Sequence, residues 1–135
     1  MSKTKVFSLP VRVYFQDTDA GGVVYHASYV NFMERARTEW LRTHGYSNAG
    51  LMKEFGVVFV VRSLKLDYLK PALLDDLLDV TAQIKDIGRS RLTLLQTVRR
   101  GAELLTEAEV HLVCVSLASF KPASVPEVLR VQLEK

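Results

Sequence analysis

The chain of 135 residues holds one cysteine, Cys114, which cannot close an internal disulfide and has no CxxC partner. A disulfide scaffold is excluded, and Cys114 in the run HLVCVSL reads as a small buried apolar residue. Histidine is scarce too: His26, His44 and His111 lack metal-ligand spacing, so no metal site is expected. No apolar run is long enough to span a membrane, and the opening MSKTKVFSLP lacks the apolar centre of a secretion signal. The expectation is a cytoplasmic protein. Charge of one sign is not concentrated either, because 18 Lys+Arg face 15 Asp+Glu in scattered positions, for a net charge of +3. That argues against a nucleic-acid surface and leaves a small anion as the better partner. There is no G-x-S-x-G turn, no P-loop ending after Gly21-Gly22, no internal repeat and no low-complexity segment.

What is present fits one domain over residues 1–135, with 48% hydrophobic residues to build a core without staples. Val11, Val13 and Phe15 alternate with polar or amphipathic neighbours, predicting a first strand that Pro10 introduces. From Ala27 the period changes. Tyr29, Phe32, Met33, Ala36 and Trp40 form one apolar helical stripe, which runs to about His44 and is closed by Gly45. A shorter helix is expected over Asn48 to Phe55, with Gly56 as its stop. Four strands follow: Val57 to Tyr68, Leu78 to Ile84, Leu92 to Val98 and Thr106 to Leu117, with short connections that favour antiparallel hairpins. A tail from Pro126 has room for one helical turn. The class is α+β: an antiparallel five-stranded sheet wrapped around one long helix, with its other face solvated or open to a second copy.

The junction between first strand and long helix holds Asp17-Thr18-Asp19-Ala20-Gly21-Gly22 and then Val23-Val24-Tyr25-His26. Glycines there let the backbone turn tightly and approach a ligand. The amides from about Val24 to His26 would then face open space at the positive end of the helix dipole, which favours a developing oxyanion. A carboxylate beside such donors is the pairing that acyl transfer needs, and Asp19, the last acid before the glycines, is better placed than Asp17. An aspartate N-cap with a glycine turn explains the same spacing without chemistry.

The run YFQDTDAGGVVYHASYVNFMERARTEWL resembles the signature of the YbgC-type acyl-CoA thioesterases, also called Tol-Pal system-associated, of the 4-hydroxybenzoyl-CoA thioesterase family. The resemblance implies the hotdog fold, a homo-oligomer (dimer or tetramer), and hydrolysis of short- to medium-chain acyl-CoA. It implies no metal and no separate cofactor, coenzyme A being part of the substrate, with acyl carrier protein as a further partner. The second acid of D-x-D, the family's catalytic carboxylate, falls on Asp19, and the amide that polarises the thioester carbonyl falls on His26. Gly22 and Tyr25 complete the turn into the helix, and Tyr29 lines the acyl pocket or the core. Arg89, Ser90 and Arg91, at a turn between strands, match the family's stretch that meets the nucleotide phosphates; Lys70 and Lys121 are weaker candidates of that kind. A related branch carries its acid on the helix, which makes Glu34 the runner-up, although pairing with Arg37 explains Glu34 as well. A non-catalytic hotdog that binds acyl-CoA or acyl carrier protein is the alternative, and the dehydratases of this fold need a motif that is not found.

Overall fold

A computed structural model describes residues 5–135. Its elements are β1 (Phe7–Arg12), α1 (Ser28–Thr43), α2 (Asn48–Phe55), β2 (Val57–Tyr68), β3 (Leu77–Ile87), β4 (Arg91–Arg100), β5 (Glu103–Ser116) and α3 (Glu127–Leu133). The five strands form one sheet of order β1-β3-β4-β5-β2, with all neighbours antiparallel. The architecture is the α+β one expected, with α1 against one face of the sheet.

The helical stripe is the centre of the core: Tyr29, Phe32, Met33, Ala36 and Trp40 are all buried, together with Leu41. Each large side chain of this kind contributes about 1.5–3 kcal/mol by leaving water. They pack against Val80 and Leu78 of β3, Leu94 and Val98 of β4, and Val110 of β5. One polar residue shares that face. Gln96 is fully buried, and its amide donates to the carbonyls of Met33 (3.0 Å) and Thr81 (3.2 Å) while its oxygen accepts from Arg37 (3.0 Å). Helix and sheet are thus tied by a satisfied polar bridge as well as by apolar packing.

Three expectations need correction. The first strand spans Phe7–Arg12 instead of Val11 to Phe15, because the Asp17 carboxylate accepts the Tyr14 N–H (2.8 Å) and winds 15–17 into a 3-10 turn. Phe15 is left 79% exposed, and Pro10 lies inside the strand, which an edge position such as that of β1 tolerates. Second, β2 and β3 are not a hairpin: β2 pairs with β5 at one edge of the sheet, while β3 pairs with β1 and β4. Their connection crosses the end of the molecule beside the start of α1. Third, the tail is neither loose nor a single turn: α3 is a two-turn helix after Pro126, and Leu129 and Leu133, four residues apart on one face, join the core.

The His44 imidazole closes α1, packed edge to face on Trp40 at 5.2 Å. Burial pushes its pKa down, Lys5 adds to that, and a backbone contact at Gln132 opposes it. The unfolded chain therefore takes up a proton that the folded chain refuses, so His44 lowers stability as pH falls through about 6.5. In His44→Gln, the drop in Tm between about pH 7.5 and pH 5.5 is expected to shrink relative to the parent, as read by calorimetry.

Candidate active site

The junction is built by the backbone of four segments. Asp17 O accepts the Tyr25 N–H (2.9 Å) and the Ser28 hydroxyl (3.1 Å), so the acidic turn is fastened to the start of α1. The crossing connection fastens it from the other side: Val24 N–H reaches Ala72 O (2.9 Å), Leu74 N–H reaches Gly22 O (2.9 Å) and Asp75 N–H reaches Val13 O (3.1 Å). Arg100 holds that connection in place through Asp76 (2.6 Å) and is itself shared with Glu103 (2.8 Å). Gly22 sits at φ +75, a backbone state that glycine adopts without strain.

The two aspartates have different jobs. Asp17 is 8% exposed and its carboxylate is taken by the Tyr14 N–H. Asp19 is exposed, and among the described residues its carboxylate meets only the Gly21 N–H, at 3.2 Å. Neither caps α1. The N-cap is Ala27, which offers no side-chain acceptor, and the first turn holds no acid. Neither acid is therefore the N-cap of the long helix, although each accepts an N–H within the turn itself.

Of the amides expected to be open, those of Val24 and Tyr25 are engaged, by Ala72 O and Asp17 O. The His26 N–H has no acceptor among the described residues. Its peptide plane is fixed from the far side, since Tyr25 O accepts the Ser28 N–H at 2.8 Å. The Tyr25 ring lies against the His26 ring at 4.4 Å, and both side chains are exposed. Tyr29 is buried in the core, where its hydroxyl accepts the Ala72 N–H (3.0 Å) and burial raises its pKa. It supports the junction from below.

Sequence reasoning missed Tyr68. Its hydroxyl donates to His26 O at 2.7 Å, and its ring stacks edge to face on Tyr29 at 5.3 Å. Only the pairing of β2 with β5 brings the end of β2 here, so no local signal marks it. Tyr68→Phe is expected to lower kcat up to about tenfold with KM little changed, the size of one lost hydrogen bond that steadies the turn. Steady-state kinetics on the folded variant checks this.

Glu34 does not pair with Arg37. It accepts from Thr38 (3.0 Å), while Arg37 turns to Gln96, and burial lowers the Arg37 pKa against the pull of Glu34. Arg89, Ser90 and Arg91 stand together at the β3–β4 hairpin, whose backbone is braced by Arg130 on Gly88 O (2.7 Å), Val125 N–H on Arg89 O (2.8 Å) and Cys114 N–H on Ser90 O (2.7 Å). Lys70 is paired with Glu103 at 3.0 Å; Lys121 is exposed on the far side of the sheet end. Among the described residues, no three His, Cys, Asp or Glu side chains come together.

The comparisons with known proteins bear on the family and the fold. The chain is 50% identical over 125 residues to the acyl-CoA thioester hydrolase YbgC of Escherichia coli O6:H1, covering 92% of each. It is 46% identical over 121 residues to the acyl-CoA thioesterase YbgC of Haemophilus influenzae, covering 90% of this chain and 89% of that one. Among solved structures, a probable thioesterase from Bartonella henselae superposes with a TM-score of 0.87 at 34% identity, over 90% of this chain and 100% of that one. An antiparallel sheet around one central helix, with the acidic glycine turn at the helix start, defines a hotdog protein of the thioesterase class. The thioesterase-like superfamily model matches residues 13–133, and the chain belongs to that superfamily, in its YbgC-type branch. No described helix is long and apolar enough to cross a membrane.

Proposed function

We propose that this protein hydrolyses short- to medium-chain acyl-CoA thioesters to the free acid and coenzyme A, with Asp19 as nucleophile or general base and the His26 amide as the oxyanion donor. The observation that carries this reading is that one connection, seven residues apart, holds a carboxylate that does not cap the helix and a helix-start N–H without an acceptor among the described residues. The thioester oxygen takes the place of that missing acceptor, and the helix dipole adds to the stabilisation of its growing charge. Either Asp19 attacks the carbonyl carbon, expelling the coenzyme A thiolate and leaving an anhydride for water to cleave, or it removes a proton from the attacking water. Gly22 and Tyr25 shape the approach, and Arg89, Ser90 and Arg91 receive the phosphates. No group beyond coenzyme A and water enters the step.

In one chain Asp19 and His26 are both exposed, and neither lines any of four surface clefts among the described residues. Around them stand exposed apolar side chains, Phe15 (79%), Tyr14 (62%), Leu69 (51%) and Leu73 (45%). Strand β2 also presents an unpaired, partly apolar edge, with Val61 and Leu64 exposed. Both features support a homo-oligomer, dimer or tetramer, in which a second copy closes the acyl pocket. Cytoplasmic residence and acyl carrier protein as a second thioester carrier belong to the same reading.

The test is thiol release from acyl-CoAs of increasing chain length, with binding measured in parallel. Release that is fastest for short or medium chains is expected. Binding without release would instead make the protein an acyl-CoA or acyl-carrier-protein binding module.

A further inference from the structure

A cavity of about 690 Å³ lies where the last turn of α1 meets the start of β1 and the end of α3. The length of α1, 16 residues or about 24 Å, separates it from the His26 turn, so it has no part in the proposed hydrolysis. Trp40 and Leu133, each 5% exposed, form its floor, half-buried Phe7 and Ile84 its sides, and Val6, 58% exposed, its lip. Its size falls within the range of about 300–1,000 Å³ usual for small-molecule sites.

Every ionisable side chain on the wall is basic: Lys5, His44 and Lys135 line it, and no Asp or Glu does, in a chain whose acids nearly match its bases, 15 against 18. Among the described residues neither lysine is ion-paired. The His44 ring packs edge to face on Trp40 at 5.2 Å and reaches the backbone at Gln132, which joins the end of α1 to α3 across the cavity. Burial first, and then the charge of Lys5, hold that imidazole toward its neutral form, so the ammonium stands close to the ring. An anion here meets uncompensated positive charge, and a cation meets only repulsion. No arginine lines the cavity, so the bidentate grip that suits a phosphoryl group is missing. A single carboxylate with an apolar tail fits the wall.

We propose that this cavity binds a free medium-chain aliphatic carboxylate, its tail against Trp40, Phe7, Ile84 and Leu133 and its charged end at the mouth beside Lys5. Binding makes and breaks no covalent bond, and it does not depend on the hydrolase reading above. Where that reading holds, the ligand belongs to the same chemical class as the acid released, held at the opposite end of α1 from the turn that releases it.

Trp40 is the only tryptophan of the chain, so its emission reports occupancy. The experiment titrates octanoate, 1-octanol and octylammonium into the parent, Lys5→Glu and Val6→Glu, following that emission with calorimetry in parallel. Both positions are exposed, and neither substitution touches the core. Saturable binding of octanoate by the parent, weaker by roughly tenfold in each variant and weaker also for the alcohol and the ammonium, supports the site. Absence of saturable octanoate binding to the parent, equal octanoate binding by all three proteins, or octanol bound as tightly as octanoate overturns the proposal.

Discussion

Replacing Asp19 by asparagine is expected to lower kcat by about 10²- to 10⁴-fold, the range over which a positioned acid or base acts. Asparagine keeps the shape of the side chain and an oxygen for the Gly21 N–H, so the turn survives and only charge is lost. The fold, read by Tm, and the affinity for acyl-CoA should both remain close to the parent. Asp17→Asn is the contrasting case, because that carboxylate is buried on the Tyr14 N–H and shapes the turn. It should lower Tm while the folded fraction still turns over. Single turnover in ¹⁸O water then separates the two roles of Asp19: label enters its own carboxylate only when an anhydride forms. Unchanged turnover in Asp19→Asn would remove this residue from the chemistry.

The largest effect on stability is expected from Phe32→Ala. Phe32 is fully buried on the inner face of α1, with Tyr29 edge to face at 6.2 Å. Removing the ring costs about 3–5 kcal/mol, because transfer energy is lost and a cavity is left behind. The site resists collapse: the Gln96 bridge to Met33 ties the helix to the sheet next to the gap, and the Tyr68 bond to His26 steadies its start. For a domain of this size the loss corresponds to a fall in Tm of about 10–20 °C, readable by calorimetry or urea unfolding. Phe32→Leu, which leaves less void, should recover most of it.

Both positions were visible in the sequence for physical reasons. Phe32 belongs to a periodic stripe that only a helix places on one side, and Asp19 is the last acid before the glycine pair. The strand patterns were legible where alternation is regular, as in β3 and β4. They were harder to read where a bulge shifts the parity: apolar residues of β2 move from odd positions through Val61 to even positions from Leu64, and the shift at Arg62 keeps both sets on the helix side. Phe15 misled because alternation counts hydrophobicity and takes no account of a neighbouring carboxylate that bends the backbone. Strand order was not legible at all. Nothing local says that β2 joins β5 across the sheet, and with that went the nearness of Tyr68 to His26. The Gln96 bridge was hidden likewise, since Arg37 had an acid, Glu34, at helical spacing and chose a strand residue instead.

Among the described residues, strand β1 finds its only strand partner in β3, with Phe7 beside Ala82 and Arg12 beside Leu77. A ribosome delivers the amino end first, so this strand must wait, unpaired, until residues 77–82 have emerged. The acidic turn hangs from it and is bolted to residues 72–75, which arrive just as late. The geometry proposed for catalysis is thus acquired only after the long-range closure is made, and truncated products of translation carry the motif without that geometry.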